Sequence, residues 1–122
     1  MIIGIGVDIV EIPRIRAALA HPRTGERFRA RVFTDDEVAY CERRRHAQES
    51  YAARFAAKEA MMKALGAAMG WREIEVVRGS GAPTIRLHDR AQTRAAALGI
   101  QRIHLSLSHT AETAIAFVVA ES

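Results

Sequence analysis

Residues 2–10, IIGIGVDIV, can fold into little other than a strand. Isoleucine and valine dominate the segment, and successive side chains of a strand point to opposite faces. Ile3, Ile5, Val7 and Ile9 therefore share one face, and Gly4, Gly6, Asp8 and Val10 the other. The second face is two glycines followed by an acid. Glycine inside a strand marks close approach by another backbone or by a ligand. A buried carboxylate with no partner is costly. Two readings are open. Either the glycines admit a packed helix and Asp8 caps a turn, or they leave space for a ligand beside a carboxylate.

The rest of the chain alternates helical and strand-like patterns. Pro13 suits the first turn of a helix, and Ile12, Ile15 and Leu19 follow at helical spacing; a turn over 21–25 and a short helix over 26–32 come next. TDDE, residues 34–37, has the capping-box pattern and predicts a helix running to about Arg45. Ser50 is placed to cap a helix over 51–67, rich in strong helix formers, with glycines 66 and 70 ending it. Strands over 73–77 and 83–87 flank the Gly79–Gly81 turn; Asp89 caps a helix that Gly99 stops, and strands over 104–108 and 113–120 close the chain. The expected fold is one compact α+β domain over residues 1–122: a leading strand, a helical block, then two hairpins around a helix.

Composition narrows the class. Apolar residues make up 49% of the chain, enough for a core, yet no run approaches the roughly 18 residues of a membrane span. No basic stretch precedes the first apolar run, so no signal peptide is expected. A single cysteine, Cys41, excludes an internal disulfide framework and a multi-cysteine zinc site, and fits a reducing, cytoplasmic setting. Nine arginines against five acids lie between Pro13 and His46, which accounts for the whole formal excess of +4. A local basic patch suits an acidic protein, a nucleotide or a nucleic acid, or is simply a solvated surface.

RFAAKEAMMKALG, residues 54–66, carries the second unusual feature. At helical spacing Glu59 lies on one stripe with Phe55, Met62 and Gly66. Lys63 is one turn on, with Lys58 and Arg54 nearby. This is either an ordinary i,i+4 surface pair or half of a metal-and-phosphate site. Mg²⁺ takes one or two carboxylates plus waters and phosphates. Asp8 and Glu59 could supply the carboxylates, and Lys63 and Arg54 could hold phosphates, provided that the helix lies against the first strand. In HLSLSHTAET, residues 104–113, Leu105 and Leu107 point one way and His104, Ser106 and Ser108 the other; His109 and Thr110 stand at the strand end. No nucleophile elbow or Cys/His pairing is present, so a hydrolase triad is not read here.

With these stretches and the GSGAP turn at 79–83, the chain resembles, almost end to end, the holo-[acyl-carrier-protein] synthases, the small bacterial type of 4′-phosphopantetheinyl transferase. The resemblance implies Mg²⁺-dependent transfer of 4′-phosphopantetheine from coenzyme A to a serine of apo acyl carrier protein. Adenosine 3′,5′-bisphosphate is released, in support of fatty acid biosynthesis. It implies Asp8 and Glu59 as metal ligands and Lys63 on the pyrophosphate. Lys58, the lysine of the KEA motif, and Gly66 are implied at the coenzyme A site, with Arg54, His109 and Thr110 near its 3′-phosphate. Glu59, acting through water, is the first candidate base for the serine and His109 the second. Arg14 is implied as the contact to the acidic carrier protein, with Arg16, Arg23 and Arg27 beside it. A homotrimer with sites between subunits is also implied. Two positions depart from the pattern: Phe55 stands where the wider superfamily often has Trp, and Thr110 where some relatives have Asp. No mechanism here rests on a carboxylate at position 110.

Two rivals come from other classes. A small nucleic-acid-binding protein would use the arginines on phosphates and would need stacking aromatics beside them; only Phe28, Phe33 and Tyr40 are available, and Asp8 and Glu59 would have no role. A non-catalytic coenzyme A-binding domain would share the site but show no turnover. The expectation is therefore an enzyme with coenzyme A and acyl carrier protein as partners, and with neither nucleic acid nor membrane.

Overall fold

A computed structural model describes all 122 residues. Its axis is one long helix, α4 (Ala47–Leu65), with twelve of nineteen residues buried. Alanines at 52, 53, 56, 57, 60 and 64 give that helix a thin profile, so other elements can close around it. Ahead of it come β1 (Ile2–Glu11), α1 (Ile12–Ala20), α2 (Gly25–Val32) and α3 (Asp35–Glu42). After it come a 3₁₀ turn at Trp71–Glu73, β2 (Ile74–Val77), β3 (Thr84–Leu87), α5 (Asp89–Leu98), β4 (Arg102–His109) and β5 (Thr113–Glu121).

The first strand pairs with the last. The main sheet has the order β1–β5–β4, antiparallel throughout, with Asp8 opposite Ala116 and Ala116 opposite Leu107. Its inner face presents Gly6, Asp8, Val10, Ala114, Ala116 and Val118 to α4. β2 and β3 form a separate hairpin. A single cluster of 23 buried residues runs through the molecule, so the α+β fold is organised around one core.

Several elements match the sequence reading. TDDE forms a full capping box, with Thr34 Oγ1 accepting from the Glu37 amide and the Glu37 carboxylate accepting from the Thr34 amide. Gly66 ends α4 in the left-handed conformation at φ 69°, as glycine readily does. Other boundaries move. α4 begins at Ala47 rather than 51, so Ser50 lies within its first turn, and the capping residue His46 makes no side-chain cap. α3 stops at Glu42 rather than near Arg45. His88, not Asp89, precedes α5, and Asp89 opens that helix at a positive φ of 51°.

Candidate active site

The inner row of β1 brings the site together. A Cβ on Gly6 would lie 1.7 Å from the Ala60 carbonyl oxygen, and one on Gly4 would lie 2.1 Å from that of Ala64. Only glycine lets α4 press its backbone onto the strand at these points. The glycines thus serve helix packing, and that packing sets α4 residues beside Asp8. Lys63 Nζ donates to Asp8 Oδ1 at 3.2 Å and to the Val7 carbonyl at 2.9 Å.

Glu59, one turn before Lys63, is the second acid here. Burial pushes its carboxyl above the usual carboxylate range, and Asp8 beside it pushes it further; Lys63 and Arg14 pull the other way without cancelling the rise. The Asp8 and Glu59 carboxyls are near enough to share a hydrogen bond when one is protonated. As two carboxylates they cannot, and Asp8 Oδ2 is then buried without a donor. Two crowded carboxylates with an unsatisfied oxygen call for positive charge. A hard divalent cation would supply it. No His, Cys or third acid joins the pair to make a three-residue metal group. The donor set is therefore all-oxygen and small, which fits Mg²⁺ completed by water and phosphate and does not fit an all-protein cage.

The Glu59 stripe is the rim of α4 rather than its core face: Phe55 is buried, Glu59 and Met62 are half-buried, and Gly66 is exposed. A shallow groove lies along this rim, lined by Glu59, Met62, Lys63, Gly66 and Trp71.

A second cleft, of about 450 Å³, collects arginines. Arg44, Arg45, Arg54 and Arg78 line it with His109, Tyr40 and Pro83, and Glu49 is the only acid. The Arg54 guanidinium lies 4.1 Å from the Tyr40 ring centre, and its buried Nε has no acceptor. Such a cleft has the size and sign for a phosphorylated ligand. It shares no lining residue with the Glu59 groove.

The other predicted residues occupy different environments. Lys58 is fully buried, and its amine donates to Glu37 at 2.7 Å, to the Trp71 carbonyl at 3.1 Å and to the Ile74 carbonyl. Burial draws its pKa down. All three of its donors are thus committed within the protein, where coenzyme A binding was expected of it. Thr110 is not a cleft residue; its hydroxyl accepts from the Glu112 and Thr113 amides and closes the β4–β5 turn. Arg14, Arg16, Arg23 and Arg27 are all exposed on or beside α1 and α2. Of the aromatics near the basic segment, Phe33 is in the core, Phe28 stacks on Phe55, and Tyr40 carries Arg54 and Arg44. Sequence reasoning assigned no ligand role to Arg44, Arg45 or Arg78. The RRR run before α4 was a usable signal for the first two, whereas Arg78 had none.

Residues 4–118 match the model of the 4′-phosphopantetheinyl transferase superfamily. A holo-[acyl-carrier-protein] synthase of Anaeromyxobacter sp. (strain K) is 50% identical over 124 residues, spanning 99% of this chain and 97% of the relative. The chain belongs to this superfamily, in its holo-[acyl-carrier-protein] synthase family. Solved members of that family share its fold. The Neisseria meningitidis synthase matches with a TM-score of 0.86 at 34% identity, covering 100% of both chains. The Bacillus anthracis synthase, solved in complex with CoA (3′,5′-ADP), matches with a TM-score of 0.80 at 34% identity, covering 100% of this chain and 98% of that one.

Proposed function

We propose that the chain moves 4′-phosphopantetheine from coenzyme A to a serine of apo acyl carrier protein, with Mg²⁺, and so serves fatty acid biosynthesis in the cytoplasm. The observation that carries this reading is the meeting of Asp8, Glu59 and Lys63 from elements more than fifty residues apart in sequence. Asp8 and Glu59 would hold the ion. When bound, Mg²⁺ neutralises pyrophosphate charge and orients the reacting phosphorus. Lys63 is half-exposed and can swing from Asp8 to a phosphate oxygen, stabilising charge on the leaving group. The serine oxygen attacks the β-phosphorus, its bond to phosphorus forms, and the bond to the departing adenosine 3′,5′-bisphosphate breaks. The serine proton goes to a base. Glu59 is the first candidate for that base, through an intervening water, and His109 the second. The arginine cleft suits the 3′-phosphate and adenosine of coenzyme A.

A trimer accounts for two further observations. The arginine cleft and the Glu59 groove share no lining residue within one chain, and a trimer would let one subunit's cleft complete a neighbour's groove. His109, in the cleft, would then reach the reaction from the neighbour. The outer sheet face also exposes Ile5, Val7, Ile9 and Phe117, an apolar row of the sort that protein interfaces cover.

Exposed arginines on α1 face an acidic carrier, and Arg14 stands close enough to act on Glu59 electrostatically. The test is to mix the protein, coenzyme A, Mg²⁺ and an apo carrier protein and to weigh the carrier. The expected result is a mass gain of one phosphopantetheine. Coenzyme A binding with no gain would instead support the non-catalytic reading. In the same assay Arg14→Glu should raise KM for the carrier more than KM for coenzyme A; equal changes would remove the docking role.

A further inference from the structure

The KEA lysine is among the largest fully buried side chains of the molecule, alongside its partner Glu37. Fully buried lysine and glutamate are rare and need complete pairing. Here they have it. An ammonium has three donors, and Lys58 commits all three: to Glu37 Oε1, to the Trp71 carbonyl and to the Ile74 carbonyl. Glu37 also accepts from the Thr34 amide at 2.9 Å and the Val76 amide at 2.8 Å. One ion pair thus ties together α3, α4, β2 and the 3₁₀ turn that follows α4.

We propose that Lys58 is a positioning residue: its buried pair with Glu37 fixes the rotation of α4 and the placement of Trp71, so that Glu59 and Lys63 meet Asp8. Consecutive helix residues are turned by about 100°. With Lys58 locked toward Glu37, Glu59 is directed to the β1 side. The Gly4 and Gly6 contacts, to the backbone of Ala60 and Ala64, set how close α4 comes to the strand on that face. The lysine adds a directional constraint from α3 and β2, beyond the apolar packing of the helix. It also holds the carbonyl of Trp71, whose ring stacks on Phe55 at 4.8 Å and walls the groove containing Glu59 and Lys63. A buried ion pair is an inefficient source of stability, since apolar replacements often do as well. Geometry is what it secures.

This inference rests on the reading that Glu59 and Lys63 serve the transfer. The test uses Glu37→Gln, which keeps an acceptor for the helix cap, and the double variant Lys58→Met with Glu37→Gln, which leaves no unpaired buried charge. Trp71 is the only tryptophan, so its fluorescence reports on the groove wall directly. Both variants should remain folded by circular dichroism. Each should show a red-shifted Trp71 emission, stronger acrylamide quenching and at least a tenfold lower kcat. KM for the carrier should stay within twofold, because the docking arginines lie on other elements. Folded variants with wild-type kcat and unchanged emission would overturn the proposal. So would a raised KM for coenzyme A at unchanged kcat, which would return Lys58 to ligand binding. Unfolding of both variants would also overturn it, by making the pair a stability element. Glu59→Gln and Lys63→Ala are run alongside: if they retain full transfer, the active-site reading fails, whatever the Lys58 variants do.

Discussion

Asp8 Oδ1 is bonded to Lys63, its other oxygen is buried without a donor, and the Glu59 carboxyl lies beside it. Without a cation the two acids repel, and Glu59 keeps a proton at a pH where an unfolded glutamate has lost it. The folded state therefore binds more protons than the unfolded state from the ordinary glutamate value of 4.5 up to the raised one, and stability falls as pH rises through that window. Thermal melts of metal-free protein should show this decline, and Glu59→Gln should flatten it. Asp8→Asn and Glu59→Gln should also raise Tm at neutral pH while abolishing transfer. Added Mg²⁺ should raise Tm of the wild type and leave both variants unmoved, since only a species that binds the folded state stabilises it. Equal Mg²⁺ responses in all three proteins would remove the metal site.

The strand–helix contact that creates this pair depends on two absent side chains. Gly6→Ala forces a Cβ into the Ala60 carbonyl, so strand and helix must separate. Overpacking of this kind costs about 3 kcal/mol. Chemical denaturation should show that loss, and transfer should fall by more than the unfolded fraction explains, because Glu59 and Lys63 move with the helix. A neutral Gly6→Ala would mean that α4 is not held where it is described. At this scale the sequence was legible wherever the signal is local. The Thr34–Glu37 box and the glycine row before Asp8 could be read from a few adjacent residues. The start of α4 could not, because His46 offers no side-chain cap and Ser50 imitates one. The fate of Lys58 was equally hidden. Its three acceptors lie 13 to 21 residues away, and nothing within KEA says which way a helix turns. The arginine cleft was half legible, since Arg44 and Arg45 stand in a run, but Arg78 reaches it only through the β2–β3 hairpin.

At the scale of the whole molecule, the main sheet is covered on one side only. α4 fills the inner face, while Ile9 remains 64% exposed and Ile5 53% on the other. β1 and β4 are both free edges of that sheet, and an apolar face with open edges invites association. A second and third copy placed there would bury the row. Val7 and Phe117 are cross-strand neighbours at the middle of the face, so a charge on either falls where burial would be deepest. Val7→Glu and Phe117→Glu should therefore leave the monomer folded, since neither side chain contributes to the core. Light scattering should give about three times the 13.5 kDa chain mass for the wild type and the single-chain mass for the variants. Transfer should be lost with the assembly and should return in part as protein concentration is raised. A wild-type protein that is monomeric and active, or a monomeric variant at full rate, would show that one chain completes the site alone.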